Sequence, residues 1–278
     1  MPISVLILTL DEEQNLPGCL DSLRWCDDIV ILDSGSTDAT VALAARAGAR
    51  VIHRDFDDYA SQRNFGLRDI EWRHPWVLMV DADERVPQDL VTEMQSATTQ
   101  ASSELCLFRM RRKDYLFGTW IRGSGGYPTW FPRLARVGRV WVARPINEEY
   151  LTDGVIGQLA CHLHHFPFNK GMAAWVAKHN RYSSMEAEML VGRQNCAVRP
   201  SMRDVVSTDP LSRRRALKYV VYRMPFRPMI VFLGVYVLRL GFLEGRAGLT
   251  FALLRSWYEF LINVKVAELK RRARKLPV

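Results

Sequence analysis

Three short segments of this 278-residue chain hold residue types that can do chemistry together. Asp81-Ala82-Asp83 follows the apolar run Trp76-Val77-Leu78-Met79-Val80. Two carboxylates one residue apart, where the backbone turns out of a buried strand, can bind a hard divalent cation and through it a diphosphate. Asp33-Ser34-Gly35-Ser36-Thr37-Asp38 ends another apolar run and opens a helix. Asp33 there can accept a hydrogen bond from a nucleobase or ribose, while Ser36 or Thr37 caps the helix. Gln62-Arg63-Asn64-Phe65-Gly66 offers one guanidinium able to meet a phosphate bidentately. Taken singly, each segment also reads as ordinary structure: an acidic turn, a capping turn, a surface ion pair.

What joins them is the spacing of the elements between. Apolar runs at 3–8, 29–32, 51–53 and 77–80 alternate with helical patterns at 16–25, 37–47 and 59–70. The order β-α-β-α-β-α-β predicts an α/β fold with a doubly wound, mainly parallel sheet. Ligands of such sheets sit at the carboxyl ends of the strands, where these segments and Thr9-Leu10-Asp11-Glu12 lie. Residues 105–166 turn aromatic, Arg-rich and Gly-rich, which predicts short strands and an antiparallel edge facing the acceptor. Residues 171–191 are helical in pattern, and 195–210, with Pro200 and Pro210, read as a linker.

The net charge of +8 hides an asymmetry. Residues 199–278 hold 17 Lys/Arg against 5 Asp/Glu, whereas the first 198 residues are net acidic. An acidic first half needs a cation before it can hold phosphates, and a basic, apolar last third suits an anionic surface. Five scattered cysteines without a CxxC pair support neither a disulfide framework nor a cysteine zinc site. The N-terminal run lacks a basic n-region and reads as a first core strand, which predicts a protein kept on the cytoplasmic side.

Residues 228–238 are uncharged but bounded by Arg227 and Arg239, and eleven helical residues rise only about 17 Å against roughly 30 Å of hydrocarbon. Extension to Leu254 would bring Arg239, Glu244 and Arg246 to membrane depth. Trp257, Phe260, Leu261 and Val264 fall at i, i+3, i+4 and i+7, ahead of the basic run 270–275. This is the composition of an interfacial helix with a polybasic flank. The expected division is a catalytic domain over 1–195, with a nucleotide-sugar half 1–100 and an acceptor half 101–195, followed by a helical membrane-binding region over 196–278.

With residues 4–15, Asp33-Ser34-Gly35-Ser36-Thr37-Asp38, Gln62-Arg63-Asn64-Phe65-Gly66 and Asp81-Ala82-Asp83-Glu84 in this order, the chain resembles the family 2 glycosyltransferases of GT-A fold. Phe131-Pro132-Arg133-Leu134, Asn147-Glu148, His165-Phe166, 178–182, 224–228 and 240–249 extend the likeness to the lipopolysaccharide-core β-1,4-glucosyltransferase subgroup. Relatives commonly read His-Glu where this chain has Asn147-Glu148, and Asp-Gly where it has Glu244-Gly245. The resemblance implies a Rossmann-like GT-A domain with a C-terminal α-helical membrane-associating region. It implies inverting transfer from a UDP-sugar, probed first with UDP-glucose, assisted by Mg²⁺ or Mn²⁺. By position Thr9, Asp11, Asp33, Arg63 and Asp81 line the nucleotide, and Asp83 is the principal metal ligand with Asp81 and His165. The implied partners are a lipid-linked or lipopolysaccharide acceptor and an anionic membrane surface, at the cytoplasmic face of the inner membrane.

Inversion at a hydroxyl acceptor requires a base on the face opposite the leaving diphosphate. Glu148 is the candidate, with Glu149 and His165 in reserve. Transfer to polyprenyl phosphate is the alternative and needs no such base. His162-Leu163-His164-His165 invites a zinc reading, but one cluster without a distant acid or cysteine is weak. Trp120, Tyr127, Trp130 and Trp141 are candidates to stack on sugar rings or to pack in the core. A nucleic-acid-binding module finds no recognition motif in the basic tail, and nucleotidyl transfer finds acids after the first strand instead of a Gly-rich loop.

Overall fold

Apolar runs and helical stretches alternate in space as they do in sequence. The computed structural model describes residues 2–143, 149–195 and 226–278. It begins β1 (Ile3–Thr9), α1 (Leu16–Asp21), β2 (Ile29–Asp33), α2 (Thr40–Arg46), β3 (Arg50–His53), α3 (Tyr59–Arg68) and β4 (Trp76–Asp81). A short β5 (Glu84–Arg85) and α4 (Gln88–Thr99) lead to β6 (Leu105–Leu116), β7 (Thr119–Trp120) and β8 (Trp130–Arg136). Then come β9 (Val140–Ala143), β10 (Glu149–Thr152), β11 (Val155–His165), α5 (Gly171–Asn195), α6 (Arg227–Leu233) and α7 (Gly245–Ala273).

One sheet runs in the order β3-β2-β1-β4-β8-β6-β11-β5. The strands β3, β2, β1 and β4 are parallel, and β1, β2 and β4 are buried almost throughout, as strands covered on both faces must be. Helices α1, α2 and α4 cover one face through Leu16, Cys19, Ala44, Leu90 and Met94. Helix α3 covers the other through Ala60 and Leu67, against Leu6, Val30, Val77 and Met79. The doubly wound, mainly parallel sheet expected from the sequence is therefore observed.

The chain winds outward from β1 to β3, then returns to the other side of β1 with β4. The strand order thus reverses between β1 and β4, and the crevice at their carboxyl ends is where such sheets bind ligands. Asp58 starts α3 by accepting a hydrogen bond from the Ser61 amide at 3.0 Å. A Cβ at Gly66 would overlap the Leu6 side chain, so glycine lets α3 lie close on β1 and brings Arg63 inward.

The second half of the sheet departs from expectation in one respect. Strand β8 is antiparallel to β4 and β6, but β11 is parallel to β6. The β9–β10 hairpin between β8 and β11 lets the chain re-enter the sheet in the other direction. As a result β4, β6 and β11 all point their carboxyl ends to the same edge.

The chain forms two compact units, one of Met1–Trp120 with Tyr127–Lys170 and one of Ile121–Gly126 with Gly171–Val278. Helix α5 belongs to the second, packed on α7, whereas the sequence division was drawn at 195. In the second unit α6 passes through a wide turn (Gly234–Leu238) and a tight one (Gly241–Glu244) into α7. The two arms are bent by 71°, and among the described residues no single helix is long and apolar enough to cross a membrane. The expected apolar helix at 228–238 therefore exists as one arm of a bent pair. Arg227 is buried in an ion pair with Glu259 and bonds Asn263 Oδ1 at 3.3 Å, which ties α6 to α7. The Glu244 carboxylate accepts from the amides of Gly123 and Ser124 and from the Ser124 hydroxyl. Met229, Leu233, Leu238 and Leu243 remain exposed, Leu238 by 82% and Leu243 by 71%.

Candidate active site

The loops after β1 and β2 hold one another. Asp33 is buried; its Oδ1 accepts from Thr9 Oγ1 at 2.8 Å and from Ser36 Oγ, and its Oδ2 from the amides of Gly35 and Ser36 at 3.0 and 2.9 Å. These bonds hold its carboxyl below the usual range even though burial opposes the charge. A carboxylate has about four acceptor positions, and here the loop itself fills them. Asp33, expected to accept from a nucleoside, orders its own loop in this structure, and the buried Thr9 donates to it. Ser36 and Thr37 do not cap α2, which begins later; Asp38 accepts from the Thr40 amide at 2.9 Å instead.

Asp11 is exposed at a left-handed φ of 52° and accepts from the Thr37 amide at 2.7 Å, cross-linking the two loops. Glu12 meets Lys170 Nζ at 2.6 Å. Burial pushes the Glu12 carboxyl up, against the pull of Lys170.

At the end of β4 the two aspartates part company. Asp81 Oδ1 lies 3.0 Å from Arg63 Nη2, and its Oδ2 lies 2.6 Å from Arg133 Nη2. Burial raises its pKa, but the two guanidiniums win and hold it far below the carboxylate range. The same Arg133 nitrogen lies 2.7 Å from Glu84 Oε1, a fully buried carboxylate whose Oε2 accepts from the Asp81 amide at 3.1 Å. Asp81, expected to line the nucleotide and to ligate a metal, is engaged by two guanidiniums in this structure. The same two ion pairs hold Arg63 and Arg133 at the end of β4.

Asp83 turns the other way. Its Oδ2 is 3.2 Å from His165 Nε2, and His165 Nδ1 is 2.7 Å from Asp114 Oδ1. Burial lowers the His165 pKa, but Asp83 and Asp114 on either side push it up to about 9. Asp114 Oδ1 also accepts from Arg112 Nε at 2.9 Å. Asp83 and His165 thus lie side by side, and Arg63 is held by Asp81 at the end of the same strand. Among the described residues no group of three or more His, Cys, Asp or Glu is arranged around a metal position. The pair Asp83–His165 is the donor set available, one carboxylate and one imidazole.

Sequence reasoning missed Arg112, Asp114 and the part played by Arg133 and Glu84. A signal existed: Arg112 and Asp114 share strand parity with Met110, so they face the same side as that core residue. Glu148 lies outside the described residues, and Glu149 is exposed at the start of β10. His162 and His164 point to the face opposite His165, so the three histidines form no common site. Burial and the charges of Arg111 and Lys113 push His162 down, and burial and Lys113 do the same to His164. Trp120, Tyr127 and Trp130 gather around cations, whereas Trp141 lies apart against Arg68 of α3.

The family described as Glycosyl transferase family 2 matches residues 4–149. The chain is 30% identical over 265 residues to the lipopolysaccharide core biosynthesis glycosyltransferase LpsC of Rhizobium meliloti, covering 92% of this chain and 91% of that one. It is 23% identical to an uncharacterized glycosyltransferase of Rickettsia typhi, over 98% and 89% of the two chains. Among solved structures it matches glucosyl-3-phosphoglycerate synthase from Mycobacterium tuberculosis in complex with Mn²⁺, uridine diphosphate and glucosyl-3-phosphoglycerate. That match is 24% identical with a TM-score of 0.33, over 41% of this chain and 43% of the other.

Proposed function

The chain belongs to glycosyl transferase family 2, and from that premise we propose that it transfers a sugar, with inversion, from UDP to a hydroxyl of a membrane-held glycolipid. Glucose is the donor sugar proposed, on the likeness of the motifs to the lipopolysaccharide-core subgroup. The observation that carries the reading is the contrast between the two aspartates at the end of β4. Asp81 is neutralised by Arg63 and Arg133, while Asp83 stands beside His165 at the strand switch point.

Asp83 would hold Mg²⁺ or Mn²⁺ through its carboxylate, and His165 would join it through Nε2 only on giving up the proton that Asp83 and Asp114 favour in the metal-free chain. Such an ion supplies positive charge against a leaving diphosphate. The residues of the chain do the rest. Asp114 holds the His165 ring by its Nδ1, so Nε2 is the atom offered toward Asp83. Arg63, fixed by Asp81, adds a cation at the same strand end. The cross-linked loops after β1 and β2 fix the backbone at the mouth of the crevice. Glu148 is the proposed base for the acceptor hydroxyl.

The acceptor class rests on the likeness to LpsC, whose name assigns it to lipopolysaccharide core biosynthesis. A lipid-linked acceptor and a peripheral position at the cytoplasmic face of the inner membrane fit the exposed apolar bend at Leu238 and Leu243 and the basic run 270–275.

The test is thermal stabilisation by a panel of nucleotide sugars with and without Mn²⁺. The expected result is a shift that needs both UDP and the metal and that disappears in Asp83→Ala. An equal shift in that variant would overturn the reading.

A further inference from the structure

We propose that the sheet face carrying Arg109, Arg111 and Lys113 binds an acceptor saccharide that bears its own anionic group, a ring phosphate or carboxylate. The inference rests on the glycosyltransferase reading and specifies the acceptor.

Strand β6 sorts its residues by parity. Phe108 and Met110 enter the core, and Arg112 and Asp114 continue on that side toward Glu84 and His165. Arg109, Arg111 and Lys113 therefore face the other way, about 7 Å from one to the next. The sheet register sets Trp130 of β8 and His162 of β11 beside Arg111, and His164 beside Lys113. The Arg111 guanidinium lies 5.2 Å from the centre of the Trp130 ring and 5.9 Å from that of Tyr127, and Lys113 Nζ lies 5.0 Å from Trp120. Tyr127 Oη is 2.8 Å from His162 Nε2.

This face is positive, and among the described residues its charge is not answered by a carboxylate. Among the described residues no carboxylate forms an ion pair with Arg109, Arg111 or Lys113. Arg111 gives one hydrogen bond to the Ala160 carbonyl, and the Nε atoms of Arg109 and Arg111 are buried without a hydrogen-bond partner. The field is felt next door, since Arg111 and Lys113 help hold His162 neutral; Asp89 opposes them there. Three half-buried like charges in a row repel one another, and a bound anion removes that repulsion. Aromatic rings interleaved with the cations suit the apolar face of a sugar, and a guanidinium grips phosphate or carboxylate bidentately. A neutral sugar would use the rings and leave the cations unanswered.

The face also lies where an acceptor must be. Leu78, Leu134 and Phe108 form one row across β4, β8 and β6. Asp81 and Arg111 each stand three residues beyond that row on parallel strands, past the bulge at Phe108/Arg109. Val77 and Met79 pack on the same side as Leu107 and Ala135, which places Asp81 on the face of Arg111. At the row itself two inter-strand spacings, about 10 Å, separate β4 from β6.

The experiment measures binding by tryptophan fluorescence with glucose 6-phosphate, galacturonate, methyl β-glucoside and inorganic phosphate. UDP with Mn²⁺ is titrated in parallel. The two anionic sugars are expected to bind at least tenfold tighter than the neutral glucoside and tighter than phosphate alone. Arg111→Gln and Trp130→Ala are each expected to weaken them about tenfold. Lys113→Gln, which loses no main-chain hydrogen bond, keeps the test decisive if Arg111→Gln fails to fold. Equal affinity for charged and neutral sugars overturns the inference, as does displacement of the anionic sugars by UDP, which would put them in the nucleotide crevice. Displacement by phosphatidylglycerol vesicles but not by excess sugar phosphate overturns it in favour of a lipid surface. UDP binding without anionic-sugar binding refutes this site alone; anionic-sugar binding without UDP or metal binding refutes the donor reading alone.

Discussion

The Nε2 atom of His165 lies 3.2 Å from Oδ2 of Asp83, and the opposite ring nitrogen lies 2.7 Å from Asp114. A buried imidazole between two carboxylates is an imidazolium at neutral pH, and that has a consequence for stability. The folded pKa of about 9 lies above the ordinary 6.5. The stabilisation is therefore complete below pH 6.5 and is lost as pH rises through about 9. Urea unfolding of the metal-free protein should show a stability gap between wild type and His165→Gln on the order of 2–3 kcal/mol at pH 6, narrowing to little by pH 10. A gap independent of pH would refute the charged-histidine assignment.

Arg133 spans two carboxylates from a buried position, at 2.6 Å from Asp81 and 2.7 Å from Glu84. Removing it strands Glu84 in the core with Arg112 at 3.5 Å as the remaining cation. Arg133→Met should destabilise the chain by about 3 kcal/mol, the usual cost of an uncompensated buried charge. Adding Glu84→Gln should recover at least about 1 kcal/mol of it. Urea midpoints of the single and double variants decide the point.

Glu244 accepts three hydrogen bonds from Gly123 and Ser124. Glu244→Ala leaves two amides without their acceptor. Their hydrogen exchange should accelerate at least tenfold, in line with a loss of about 1–3 kcal/mol locally. Unchanged exchange at Gly123 and Ser124 would show that the contact does not order the loop.

The bend between α6 and α7 presents Leu238 and Leu243 outward while the carboxylate of the adjacent Glu244 is engaged by the 123–124 amides. Flotation with vesicles should require anionic lipid and weaken with salt, since each basic residue near such a surface contributes about 1 kcal/mol. Leu238→Glu with Leu243→Glu should cut the bound fraction at least fivefold. Equal binding to neutral vesicles would refute the electrostatic part.

Glu148→Gln should lower transfer to a hydroxyl acceptor by 10²-fold or more, the scale of general-base catalysis, with UDP binding retained. Steady-state kinetics with a lipopolysaccharide-core acceptor read this directly. Robust activity of the variant would favour transfer to a phosphate, which needs no base.

Much of the first half was legible in the linear order of residues, because parallel strands buried on both faces must be continuous apolar runs and because ligands of such sheets gather at strand ends. Runs ending in Thr9, Asp33 and Asp81 therefore announced the sheet and the edge at which the candidate site is placed. What the runs could not announce was which side-chain atoms are already taken. Asp33 and Asp81 look as available as Asp83 in one dimension, yet Asp33 is filled by its own loop and Asp81 by Arg63 and Arg133, one of them 52 residues away. Parity, not proximity, decided the arrangement of β6 and β11. The parallel return of β11 beside β6 put His165 with Asp83 and turned His162 and His164 to the opposite face, with Arg111 and Lys113. Strand identity is a local property of hydrophobic pattern, whereas the protonation and pairing of a buried carboxylate depend on charges brought from distant strands, and only the folded sheet fixes those.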